Sequence, residues 1–167
     1  MVAPFWADMD VRYGGNVTYR ELTCVPENDE IFAQADCVIK GAITDQSTFS
    51  TAWMFIATWS RVPFYGASGH NALNITNTFQ VVLVTNRKIS FAIFNYGEIN
   101  WPAGVSGGGS IGPPAQIGVN AVDNLTFITV PGSRTNAIVN IDQDSNIGRK
   151  GCFLFRIDCG NIIYSGM

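Results

Sequence analysis

Residues 50–59 are apolar on both sides of an alternating pattern: Trp53, Phe55, Ala57 and Trp59 fall on one face, and Ala52, Met54, Ile56 and Thr58 on the other. A strand with two apolar faces belongs between two layers of structure. Residues 78–85 and 88–96 carry the same pattern, and the polar step Asn86-Arg87 between them predicts a hairpin whose turn is helped by the tolerance of Asn86 for positive φ. Shorter strands are predicted at residues 3–8 and 17–22, separated by a Gly14-Gly15 turn. From residue 29 to residue 40 the period changes. Ile31, Phe32, Ala35, Val38 and Ile39 recur at helical spacing behind Asn28 or Asp29 as an N-cap, which predicts one short helix.

The second half is more broken. Residues 103–115 contain Gly104, Gly107, Gly108, Gly109, Gly112, Pro113 and Pro114, a composition that neither a helix nor a strand interior tolerates, so a surface loop is predicted. Residues 116–122 and 125–130 read as a second hairpin about Asp123-Asn124, residues 134–141 as one helical turn, and residues 151–158 as a further strand that residues 161–164 can join through a Cys159-Gly160 turn. The pattern as a whole predicts a mainly β chain, an antiparallel sandwich-like domain with one or two short helices.

Length and charge narrow the classes. The 167 residues suit a single domain covering residues 1–167. Charged residues are only 14% of the chain, against about 25% in ordinary domains, so the surface needs another source of solubility. N-linked glycans would supply it at Asn16-Val17-Thr18, Asn74-Ile75-Thr76 and Asn124-Leu125-Thr126. A net charge of -3 with scattered lysines and arginines argues against a nucleic-acid partner. No apolar run approaches the 18 or so residues of a spanning helix, so no membrane insertion is expected of this segment, and no signal peptide is visible in it.

The cysteines Cys24, Cys37, Cys152 and Cys159 allow three pairings. Cys24 with Cys37 and Cys152 with Cys159 would close two short loops, the longer contributing about 3 kcal/mol in the chain-entropy account. Disulfides are favoured over free thiols, and zinc is disfavoured because neither spacing is C-x2-C and the sole histidine, His70, sits in a glycine-bearing loop. Disulfides imply an oxidising compartment, in keeping with the glycosylation sites.

Catalytic chemistry is poorly supplied. His70 follows Gly69, Ser133 is not in a nucleophile elbow, and Gly107-Gly108-Gly109-Ser110 lacks the Lys-Ser/Thr of a phosphate loop, so no enzyme is expected. The carboxylates that merit attention are Asp8, Asp10 and Glu98. Two apart on a strand, Asp8 and Asp10 would share a face and could hold calcium or act as the acid and base couple of a hydrolase, although solvated charges or an Asx turn explain them as well. Calcium is the one cofactor left open. Phe64, Tyr65 and Trp101 flank loops and are the aromatics best suited to a ligand surface, whether for a protein or a glycan.

Nine stretches in order carry a family resemblance: VAPFWADMDVR at 2–12, VTYRE at 17–21, FSTAWMFIATWSRVPFYG at 49–66, NTFQVVLV at 77–84, SFAIFNYGEINW at 90–101, QIGVNA at 116–121, VPGSRTNAIVNI at 130–141, SNIG at 145–148 and FRID at 155–158. Together they resemble the nidogen-type extracellular domain found in nidogens, tectorin-like proteins of acellular gels, sushi-nidogen-EGF proteins and a membrane mucin. The resemblance implies a non-enzymatic module of a larger mosaic protein, extracellular or on the extracellular side of a membrane anchor. It also implies a structural role in cell-matrix adhesion, with matrix or cell-surface proteins as partners. It transfers no catalytic or ligand-binding residue. A carbohydrate-binding module using the loop aromatics is the rival expectation.

Overall fold

The computed structural model describes residues 1–69, 73–105, 111–120, 127–158 and 163–164, the last two as backbone only. Its elements are β1 (Val2–Trp6), β2 (Asn16–Thr23), α1 (Asp29–Ala42), β3 (Trp53–Pro63), β4 (Thr76–Thr85), β5 (Ser90–Ile99), β6 (Gln116–Asn120), β7 (Phe127–Thr129), β8 (Cys152–Arg156) and β9 (Ile163–Tyr164), with a 3-10 helix over Asn136–Gln143. Among the described residues two antiparallel sheets form, a large one in the order β2-β3-β4-β5-β8-β9 and a small one in the order β1-β6-β7.

The doubly apolar strands occupy the middle of the large sheet, as their pattern requires. Ala57, Val81, Phe94 and Phe153 lie in one cross-strand row and face the small sheet, packing with Phe5, Ile117, Val119 and with Ile138 and Ile141 of the 3-10 helix. Ile56, Val82, Ile93 and Leu154 form the next row and face the opposite way, under Phe32, Ala35 and Ile39 of α1. Because successive side chains alternate across a sheet, a single sequence pattern supplies both cores. The result is three layers: a helix, the large sheet, and the small sheet. Phe94 is fully buried against Phe155, ring centroids 5.1 Å apart, and its truncation to alanine would cost about 3–5 kcal/mol.

Local predictions hold with adjustments that have physical causes. The helix begins at Asp29 as expected and extends to Ala42, burying Phe32, Ala35 and Ile39. Asn28 precedes it without capping it, because its Nδ2 donates instead to the Thr23 carbonyl at 2.9 Å and ties the helix entry to the end of β2. In the β4–β5 turn the positive φ falls on Arg87 (73°) and not on Asn86. The Asn86 Oδ1 is occupied in accepting the N–H groups of Lys88 and Ile89, at 3.0 and 2.8 Å. The turn expected near residue 134 is the longer 3-10 helix, capped by Thr135, whose Oγ1 accepts the Ala137 N–H.

Two placements go beyond the local pattern. β1 and β2, adjacent in sequence, join different sheets: Val2 and Ala3 pair with Val119 and Gly118, whereas Asn16 to Thr23 pair with Ser60 to Trp53. The Gly14-Gly15 segment therefore passes between sheets and is not a hairpin. Gly15, at φ 73°, lies so close to the β3 bulge that an added Cβ would stand 2.5 Å from the Arg61 carbonyl oxygen. The middle of the glycine-rich loop, the tip of the second hairpin and the turn expected at Cys159-Gly160 lie outside the described residues, and no helix among those described is long and apolar enough to cross a membrane.

Candidate functional site

Trp101 is not a surface residue. It is 3% exposed, with Nε1 donating to the Val62 carbonyl at 2.9 Å and its ring packed edge-on against Phe5 at 5.3 Å. The chain just past β5 turns inward, where a buried tryptophan finds both apolar contact and an acceptor for its one donor. Phe64 is half-buried beside it, at 6.3 Å between ring centroids, so of the three predicted aromatics only Tyr65, 45% exposed, faces solvent.

Tyr65 stands at one end of β3, where the chain pairs with the segment that follows β1. The Tyr65 N–H donates to the Asp8 carbonyl at 3.0 Å, the Asp10 N–H donates to the Pro63 carbonyl at 3.1 Å, and Met9 and Phe64 form an antiparallel bridge. This pairing brings Asp10, Arg12 and Tyr13 to Tyr65 around a cavity of about 470 Å³. Tyr13 is 63% exposed, and the Arg12 guanidinium lies over its ring at 5.5 Å. Arg12 and Tyr13 were not singled out from the sequence. The short Asp-x-Arg spacing was the available signal, and only the pairing across β3 shows what it faces.

Asp10 is buried and fully engaged. Arg12 donates from Nε to Oδ1 at 2.9 Å and from a terminal nitrogen to Oδ2 at 2.7 Å, and its backbone N–H donates to Oδ1 at 3.0 Å. The side-chain hydrogen bonds from Arg12, reinforced by the backbone one, hold the carboxyl below the usual aspartate range and push the guanidinium pKa up. Asp8 and Asp10 do not act as a pair. Asp10 is turned to Arg12 at the Tyr65 cavity, whereas Asp8 lines a separate cavity with Trp6 and Pro113. Among the described residues no group of three or more His, Cys, Asp or Glu side chains converges to hold a metal.

The remaining predicted positions are distributed. Asn16, at the first residue of edge strand β2, and Asn74, just before β4, are exposed, while Asn124 and His70 lie outside the described residues. Cys24 and Cys37, expected as a pair, stand as free, exposed thiols; Cys152 is a free thiol buried in the core under α1, and its expected partner Cys159 lies outside the described residues. Glu98 is exposed near the end of β5. An aromatic rim with a neutralised ion pair offers contact area and hydrogen bonds, not a nucleophile or a free base.

The nidogen-like domain model matches residues 1–159. Chicken alpha-tectorin is 41% identical over 162 residues, covering 94% of this chain and 7% of its own length. Nidogen of Drosophila melanogaster is 29% identical over 161 residues, with 93% and 11% covered, and Protein mesh of Bombyx mori is 40% identical over 127 residues, with 72% and 8% covered. The chain thus spans only a small part of the relatives it matches. No solved structure matches it. In sequence over nearly its whole length, the chain belongs to the family of nidogen-like domains.

Proposed function

We propose that this extracellular domain is a non-enzymatic adhesive module of a matrix or cell-surface protein, and that it meets partners through the face carrying Tyr13, Arg12 and Tyr65. Family membership across residues 1–159 carries the class of function. The surface assignment rests on two exposed tyrosines and a guanidinium gathered at one cavity mouth, the residue types that supply most contact energy at protein interfaces. Glycosylation at Asn16 and Asn74 belongs to the same proposal. A glycan on Asn16 stands at the start of an edge strand and blocks its pairing with another sheet, which is a service a charge-poor surface needs. A Cys24–Cys37 disulfide, formed on secretion, is part of it too.

The test uses the domain secreted from mammalian cells, with binding measured to immobilised matrix proteins. The double variant Tyr13→Ala, Tyr65→Ala should lose binding at least tenfold while its thermal unfolding stays as in the parent, and undiminished binding would overturn the surface. Mass measurement before and after amidase treatment and reduction reports on glycans and disulfide. The carbohydrate-binding reading is kept alive by the cavity between the two tyrosines; binding on a glycan array that Tyr65→Ala abolishes would favour it over a protein partner. Trp101→Ala cannot serve for this purpose, since it removes a core residue.

A further inference from the structure

A second cavity, on the other side of the molecule, lies between α1 and the large sheet. Its volume is about 430 Å³, within the range of small-ligand sites at roughly 300–1,000 Å³. Gln80 and Asn95 line its floor and belong to a polar ladder across three strands: Gln80 Nε2 donates to Thr58 Oγ1 at 2.8 Å, and Asn95 Nδ2 donates to Gln80 Oε1 at 3.1 Å. Thr58, Gln80 and Asn95 fall in one cross-strand row, on the face that α1 covers only in part. These three side chains satisfy one another and still leave an amide hydrogen on each carboxamide, together with the Asn95 oxygen, turned to the cavity side of the sheet. An apolar wall stands beside the ladder, formed by Ile31 and Val38 of α1 with Ile56, Val82 and Ile93 of the sheet.

The charges are one-sided. Arg20 and Arg149 line the cavity, no carboxylate does, and neither arginine side chain has a hydrogen bond or ion pair among the described residues. Such a site runs against the chain's net charge of -3. Arg20 is on edge strand β2, and Arg149 is in the turn that leads into β8, with β3, β4 and β5 between them. Three intervening strands at about 4.8 Å spacing place the two guanidinium groups at opposite ends of an elongated groove.

We propose that this groove binds an acidic oligosaccharide, a sugar chain lying across the strands with sulfate or carboxylate groups met by Arg20 and Arg149. Guanidinium forks match planar or tetrahedral oxyanions, the carboxamide ladder meets ring hydroxyls, and the apolar wall takes the C–H faces of the rings. None of these residues belongs to the Tyr13–Tyr65 face, so the groove stands or falls independently of it.

Calorimetric titration of the secreted domain with a chondroitin sulfate tetrasaccharide, a hyaluronan tetrasaccharide and a neutral tetrasaccharide tests the assignment and distinguishes sulfate from carboxylate recognition. Binding of one or both acidic chains, weakening as salt rises, is expected. Arg20→Gln and Arg149→Gln, both at exposed positions, should each reduce affinity about tenfold, which corresponds to about 1.4 kcal/mol. Gln34→Trp, which fills the groove from the exposed side of α1, should abolish binding without altering either charge. No heat with either acidic chain, equal binding of the neutral chain, or loss through Tyr65→Ala with both arginine variants unaffected would overturn the proposal.

Discussion

The Asn77 side chain holds the main chain of Trp101 from both directions: Nδ2 donates to the Trp101 carbonyl at 2.9 Å, and Oδ1 accepts the Trp101 N–H at 3.0 Å. The same oxygen accepts the Asn100 N–H at 2.7 Å, and Asn77 itself is 0% exposed. A fully buried carboxamide on β4 thereby steers the chain leaving β5 into the core. That is why Trp101 packs inward.

Replacing Asn77 by Leu strands two N–H groups and a carbonyl with no water to meet them, at about 1–3 kcal/mol for each unsatisfied group. A loss of at least about 3 kcal/mol in urea unfolding is expected. Asn77→Asp keeps the acceptor but loses the donor and buries a carboxylate, so it too should be destabilised, and more at pH 7 than at pH 4. Wild-type stability for Asn77→Leu would contradict the role assigned to this side chain. Trp101→Ala should cost about 3–5 kcal/mol as a core truncation.

Asp10 provides a pH-dependent contribution whose sign follows from its environment. Hydrogen bonds from Arg12 depress its folded-state pKa below the unfolded value of about 3.9. A group depressed in this way contributes stability that is complete above the unfolded pKa and is lost as pH falls through the folded one. The difference in melting temperature between the parent and Asp10→Asn should therefore be constant from pH 7 to about 5 and shrink below about 4. A gap that persists unchanged to pH 2 would contradict it.

The cysteines differ in reactivity by placement. Burial pushes the Cys152 thiol pKa up, partly offset by the nearby positive charge of Arg149, and shields its sulfur, while Cys24 and Cys37 are exposed. In reduced, folded protein an alkylating reagent should label Cys24 and Cys37 rapidly and Cys152 only after denaturant is added, as read by peptide mass mapping. Labelling of Cys152 at the rate of Cys24 would contradict its position in the core under α1.

What the residues declare locally is considerable. The doubly apolar runs of β3, β4 and β5 announce a sheet buried on both faces, and the spacing of Phe32, Ala35 and Ile39 announces the helix that covers one of them. Both signals are periodic, and periodicity is a property of neighbouring residues. The site is less legible for the same reason. Asp8 and Asp10 meet only if nothing else claims them, and here Arg12 takes Asp10 while Asp8 lines a separate cavity; Trp101 is at the surface only if no partner draws it in.

Tertiary structure alone decided that β1 joins β6 while β2, a few residues later, joins β3. It also decided that Tyr13 reaches Tyr65 through the pairing around Met9 and Phe64, and that Arg20 and Arg149 share one groove across β3, β4 and β5. The sequence by itself determined that β3, β4 and β5 lie between two layers, because their apolar periodicity is a property of neighbouring residues. Which polar residues meet depended on how the layers stack, because an exposed side chain's position is set by the long-range strand pairing beneath it and not by its own preference.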